Sequence, residues 1–205
     1  MILINDECSI ISLGCKCWSR MVLEKYKVYN FKKNKTRMPF DGCVTEYECL
    51  LKLIDNDFKN VFQNLHKSNA GFRTDFQHHV HEKTESFGSF KEQMNLRVTQ
   101  FYEELKFCCH NEKKIIFFLH YDNFPNKLIK ILRQKFPKLK FNIFCISTEF
   151  SNTIKNLKKN KFCKFVHIPQ PYLIYNHVPH RNTPEGQIFD KKVIKEFLLY
   201  IKDLI

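Results

Sequence analysis

The sequence predicts an α/β fold of three layers: a mainly parallel sheet of about four to five strands flanked by helices, with a small hairpin excursion around residues 72–82. Three observations carry this expectation. From residue 113 onward, short apolar runs alternate with segments of about 10 to 15 residues whose apolar positions recur at helical spacing, the signature of βα units. The chain opens with the same order, an apolar strand feeding a helical pattern. Finally, 205 residues without an internal repeat or a low-complexity linker suit a single domain, 1–205, that buries a core without disulfide staples.

Each element has its own local reason. "CSIISL" is apolar and β-rich, and "WSRMVLEKYKV" after it puts Trp18, Met21, Val22 and Tyr26 on one helical face. A basic loop, "NFKKNKTRMPFDG", leads to "TEYECLLKLIDNDFKNVFQNL", helical in period from Leu50 to Phe62 and opened by a capping-box pattern of Thr45 with Glu48. "AGFRTDFQHHVHEK" reads as a short strand or hairpin, and "SFKEQMNLRVTQFYEELKFCC" as an amphipathic helix opened by Ser89 with Glu92. Then come strand "KKIIFFLHY", helix "NFPNKLIKILRQKFP" ending before Pro137, strand "KFNIFCIS", helix "EFSNTIKNLKKN", strand "CKFVHIP" and a last helix "FDKKVIKEFLLYIKDLI".

Composition narrows the function classes. The net charge of +13 is uneven: residues 1–110 hold 16 Lys and Arg against 14 Asp and Glu, and residues 111–205 hold 18 against 7. Lys outnumbers Arg 28 to 6, which disfavours nucleic acid, because specific phosphate and base contacts use the planar Arg fork. A basic, solvated face accounts for the excess, and a polyanion contact is the alternative. Nine cysteines at irregular spacing, with no basic, apolar leader before them, point to free thiols in a reducing, cytoplasmic setting. No apolar run approaches the roughly 18 residues of a membrane span.

In open parallel sheets, sites form where loops leave the carboxyl ends of the strands. That rule selects Cys15 and Cys17 after the first strand, His120 and Asp122 after "IIFFL", Ser147 and Thr148 after "NIFCI", and His167 in or after "CKFV". Cys17 falls near a helix N-terminus, where the first-turn amides favour thiolate over thiol. It is then a nucleophile in search of an imidazole, or a small buried side chain at a tight turn for which Gly14 supplies the freedom. The "HHVH" stretch at 78–81 puts His79 and His81 on one strand face and His78 on the other. C-x-C, Cys108-Cys109-His110 and "HHVH" contain ligand types, but no C-x2-C pair gives zinc spacing, so no metal is assigned. No nucleotide-binding motif is present, so no cofactor is expected.

The runs "ISLGCKCWSRMVLEKYKV", "RMPFDGCVTEYECLLKLIDNDFKNVF", "FRTDFQHHVHEK" and "NLRVTQFYEELK" leading into "KKIIFFLH" resemble, in order and type, a family of papain-like cysteine peptidases, a domain otherwise of unknown function. Its pattern is S-L-G-x-x-C, then P-F-D-W, then an acidic D-F helix end, then a phenylalanine followed shortly by histidine. The resemblance spans roughly residues 9–120. It places Cys17 on the motif cysteine, Cys15 on a variable position, Asp41 on the aspartate and His78 or His79 on the histidine. Gly42 replaces the tryptophan, and His120 stands where the family has arginine. The papain-like label implies a helix bearing the cysteine and an antiparallel sheet bearing the histidine, against the repeated βα units read above.

The resulting expectation is a thiol-dependent hydrolase, cysteine peptidase-like, or an acyl transferase. Cys17 is its nucleophile, His79 or His78 its base, and Asp41 the orienting or structural acid, with Gly14, Cys15, His120, Asp122 and His167 lining the substrate. Its substrate is a small molecule, peptide or glycan. The alternatives are a module for an anionic ligand such as a nucleotide-sugar, a glycan-processing enzyme that joins both features, and a structural protein.

Overall fold

The computed structural model describes residues 8–14, 18–28, 38–41, 43–69, 71–80, 86–148, 160–169 and 182–204, with side chains at all of these except 79 and 80. A parallel sheet runs in the order β1 (Cys8–Leu13), β6 (Lys114–His120), β7 (Phe141–Ser147), β8 (Cys163–His167). Its register sets Ile11 opposite Phe117, Phe117 opposite Ile143 and Ile143 opposite Cys163.

The alternation of side chains along each strand explains the layers. Ile11, Leu13, Ile115, Phe117, Leu119, Phe141, Ile143 and Cys145 face one side, under α2 (Tyr47–Asp55), α3 (Phe87–His110) and α4 (Asn126–Lys135). Ile10, Ile116, Phe118, Phe144 and Ile146 face the other, under α1 (Trp18–Lys25) and α5 (Pro184–Leu204). The sequence expectation of a parallel sheet with helices on both faces is therefore met. Among the described residues, no helix is long and apolar enough to cross a membrane.

The hairpin expected around residues 72–82 exists as β4 (Gly71–Arg73) against β5 (His78–Val80), but it belongs to a larger antiparallel sheet, in the order β2 (Cys43–Val44), β5, β4, β3 (His66–Ser68). The two added strands were invisible locally: β2 has two residues, and β3 is polar and largely exposed.

Helix boundaries differ from expectation in instructive ways. Thr45 does not cap α2; its hydroxyl lies 3.3 Å from the Cys43 thiol, and Glu46 occupies the cap position without a side-chain hydrogen bond. That helix stops at Asp55 rather than Phe62, because Asp57 and Phe58 adopt left-handed backbone with φ of 58° and 59°. This conformation costs about 1–2 kcal/mol per non-glycine residue. The gain is that Phe58 turns back to pack at 5.5 Å from Phe40 and 5.9 Å from Phe101, and stays buried. A helical period in sequence thus concealed a reversal that serves the same core. Ser86, three residues before the expected Ser89, caps α3, and the two serines bond reciprocally as a capping box. Helix α5 starts five residues before Phe189, with Pro184 in its first turn and the Thr183 hydroxyl accepting from the Gly186 amide. The segment expected as a helix over 149–160 lies outside the described residues except for Asn160, which forms a bridge to Cys163.

Phe197 of α5 meets the rings of Phe118 and Phe144 at 5.0 Å each, while those two stack at 5.7 Å across the β6–β7 pair. Truncation of a fully buried aromatic costs about 3–5 kcal/mol. Phe197→Ala is expected to lower the urea midpoint by a corresponding amount without changing the slope of the transition, read by circular dichroism.

Candidate functional site

Because β1, β6, β7 and β8 run parallel, their carboxyl ends share one edge of the sheet, and their polar residues converge there. His120 ends β6 and is 1% exposed; its Nε2 lies 2.9 Å from the Thr148 hydroxyl. Asp122, just beyond β6, accepts from the Thr148 backbone N–H at 2.7 Å and from the Ser147 hydroxyl at 3.2 Å. The Ser147 oxygen also lies 3.4 Å from His167 Nδ1, on the edge strand β8. The expected substrate-lining residues His120, Asp122 and His167 are thus brought together through Ser147 and Thr148. Gly14 is buried at the end of β1, and Cys15 and Cys17 lie outside the described residues.

Trp18, the residue after Cys17, sets its indole edge-on to the His120 imidazole, with centroids 5.6 Å apart at 69°. Its Nε1–H donates to Asp190 Oδ1 at 3.0 Å, and Lys25 donates to Asp190 Oδ2 at 2.9 Å. A carboxylate with no exposed surface is tolerated because an indole N–H and an ammonium satisfy it. The start of α1 is therefore tied both to the carboxyl edge and to α5. Tyr47 adds a further tie: its ring stacks 3.7 Å from Tyr121, and its hydroxyl accepts from the Leu128 amide. None of these partners was signalled in sequence, since Trp18 and Asp190 are 172 residues apart.

Asp41, expected as the acid of the site, is buried and bonded to Arg20 Nη1 at 2.8 Å and to the Met38 amide at 2.7 Å through one oxygen, Oδ2. Arg20 in turn bonds Glu24 one helical turn on. Burial pushes the Asp41 carboxyl up to about 6, with the Arg20 charge and the Met38 hydrogen bond pulling the other way. Asp41 thus fastens the Pro39–Phe40–Asp41 turn to α1, and among the described residues it touches no imidazole.

The histidines stand beyond that turn. The Gln77 amide donates to the Pro39 carbonyl at 3.2 Å, which joins β5 to the turn. His78 is paired in register with Val44 and Arg73; burial, then the Arg73 charge, lowers its pKa. Its Nε2 is buried and has no partner among the described residues. The backbone of His79 lies opposite Cys43 and Phe72, and its side chain lies outside the described residues. No group of three or more metal-ligating side chains gathers among the described residues.

Breaking the Arg20–Asp41 pair leaves a buried charge uncompensated, so Arg20→Ala is expected to cost about 3–5 kcal/mol in urea unfolding at pH 7. Burial of the Asp41 carboxyl also sets a pH signature. The native carboxyl takes its proton near 6 and the unfolded one near 3.8, so the native state binds more protons between these values. The wild type is therefore expected to lose stability relative to Asp41→Asn as pH rises from 4 to 6, checked by unfolding across that window.

A scan against protein-family models finds no match, and neither a search of curated proteins nor one of solved structures finds any.

Proposed function

We propose that the chain is a thiol-dependent hydrolase or acyl transferase whose nucleophile is Cys17. The observation that carries this reading is the buried Arg20–Asp41 pair. Arg20 lies in the first turn of α1, three residues after Cys17 in sequence. Asp41 stands two residues before Cys43, whose backbone is in register with His79. One ion pair thereby draws the first turn of α1 toward the sheet that carries His78 and His79. His120, against Trp18, supplies a second imidazole near the same helix start. The resemblance to papain-like cysteine peptidases supports the same assignment of Cys17 and the histidine.

In this mechanism the Cys17 thiolate attacks an acyl carbon, the imidazole passes a proton to the leaving group, and water or a second acceptor then releases the acyl group. First-turn amides of α1 stabilise the oxyanion. The carboxyl edge favours a neutral polar substrate, a peptide or glycan, over an anion: the Thr148 amide that would cradle a phosphate is already bonded to the Asp122 carboxylate. An anion brought there would face that charge.

The test is the pH dependence of iodoacetamide labelling, read residue by residue by mass spectrometry in wild type, His78→Ala, His79→Ala and His120→Gln. Cys17 is expected to titrate well below about 8.5 and to move up when its partner imidazole is lost. Cys108 and Cys163, both pushed up to about 12 by burial, serve as slow internal standards. A Cys17 that reacts no faster than these, or that ignores all three histidines, would overturn the reading and leave it a packing residue.

A further inference from the structure

On the side of the molecule covered by α1 and α5, a groove of about 360 Å³ runs between Tyr26 and the outer face of α5. Its floor is Ile194 and Leu198 with the exposed Leu199 beside them, and its rim is Lys191, Lys195 and Lys202. Among the described residues none of these three lysines has an ion pair. Lys191 and Lys195 are also four apart on one helix, where like charges repel and weaken it. The face therefore combines recessed apolar surface with unneutralised positive charge, along about three turns or ~17 Å of α5.

We propose that this groove docks an acidic amphipathic helix of a partner protein. The charges choose among occupants. A second copy of this chain would bring lysines against lysines, at a net charge of +13 each. An anionic membrane would satisfy the lysines but not the floor: interfacial helices press several protruding Trp, Phe or Leu into the acyl boundary, whereas here Leu199 alone of the apolar lining on α5 protrudes, with Ile194 buried and Leu198 half-buried. A helix with leucines at i, i+3, i+4 and i+7 and glutamates on either flank meets both requirements, side chains in the groove and carboxylates on the rim.

The groove shares no residue with the thiol site proposed above, so the two ideas fail separately. The probe is a fluorescein-labelled synthetic peptide with leucines in that pattern and glutamates flanking them, titrated with the full chain and followed by anisotropy. A peptide of the same composition in scrambled order is the control. Saturable binding of the patterned peptide only, weakened about tenfold or more by Lys191→Glu with Lys195→Glu, and weakened also by Leu199→Ala, is the expected result. These substitutions lie on exposed positions and are checked for unchanged circular dichroism. Equal binding of the scrambled peptide, or binding indifferent to both variants, would refute the proposal by reducing the face to nonspecific charge. Lysine-dependent recruitment to phosphatidylserine vesicles without peptide binding would overturn it in favour of a membrane surface.

Discussion

Strands β6 and β7 are apolar on both faces apart from Asn142: every residue from Ile115 to Leu119 and from Phe141 to Ile146 is buried. A sheet centred on such strands cannot leave a side to water, since each exposed Phe or Ile would forfeit about 1.5–3 kcal/mol of burial. Two helical layers are therefore obligatory. The helices that supply them must cross from one end of the sheet to the other, which makes the strands parallel and gathers their carboxyl ends on one edge. The convergence of His120, Asp122, Ser147 and His167 is a consequence of that single packing demand.

Helix α1 is too short, at eight residues, to persist alone, and its placement depends on what grips it. Two buried carboxylates do so from different elements. Asp190 of α5 holds Trp18 and Lys25, and Asp41 of the loop before β2 holds Arg20. Buried charges are costly, and an apolar contact of equal volume would stabilise as well or better. What the carboxylates add is direction: each accepts from particular donors at about 3 Å, so rotation or sliding of α1 breaks them. The helix is thereby held by two elements at once.

The antiparallel sheet gives the structure a composite character. A cysteine-bearing helix start together with an antiparallel sheet carrying histidine is the pairing that the papain-like resemblance implied. Here a sheet with His78 and His79 on β5 is attached to a parallel frame, which the βα alternation implied. The parallel frame meets the expectation drawn from the βα alternation, and the antiparallel sheet is an addition to it. The Gln77 and Arg20 contacts to the Pro39–Asp41 turn join the parts, as does Phe72 of β4, stacked 4.5 Å from Phe90 of α3.

The amino-acid sequence by itself determined the elements whose signals are local. The apolar runs of β6 and β7 and the helical period of α4 needed no tertiary information, because burial on both faces or on one stripe is written directly in the spacing. The carboxyl-edge rule likewise picked out His120, Asp122 and His167 before any contact was known. Tertiary structure alone decided what depends on partners distant in the chain. It stopped α2 at Asp55, since the left-handed turn at Asp57 and Phe58 is favourable only with Phe40 and Phe101 in place. It made strands of the polar segment at His66–Ser68 and of the two residues Cys43–Val44, which pair only because β4 and β5 are beside them. It paired Asp41 with Arg20, and Asp190 with Trp18. A charged side chain reads the same in sequence whether it is solvated or buried, and only the fold supplies the donor that makes burial tolerable.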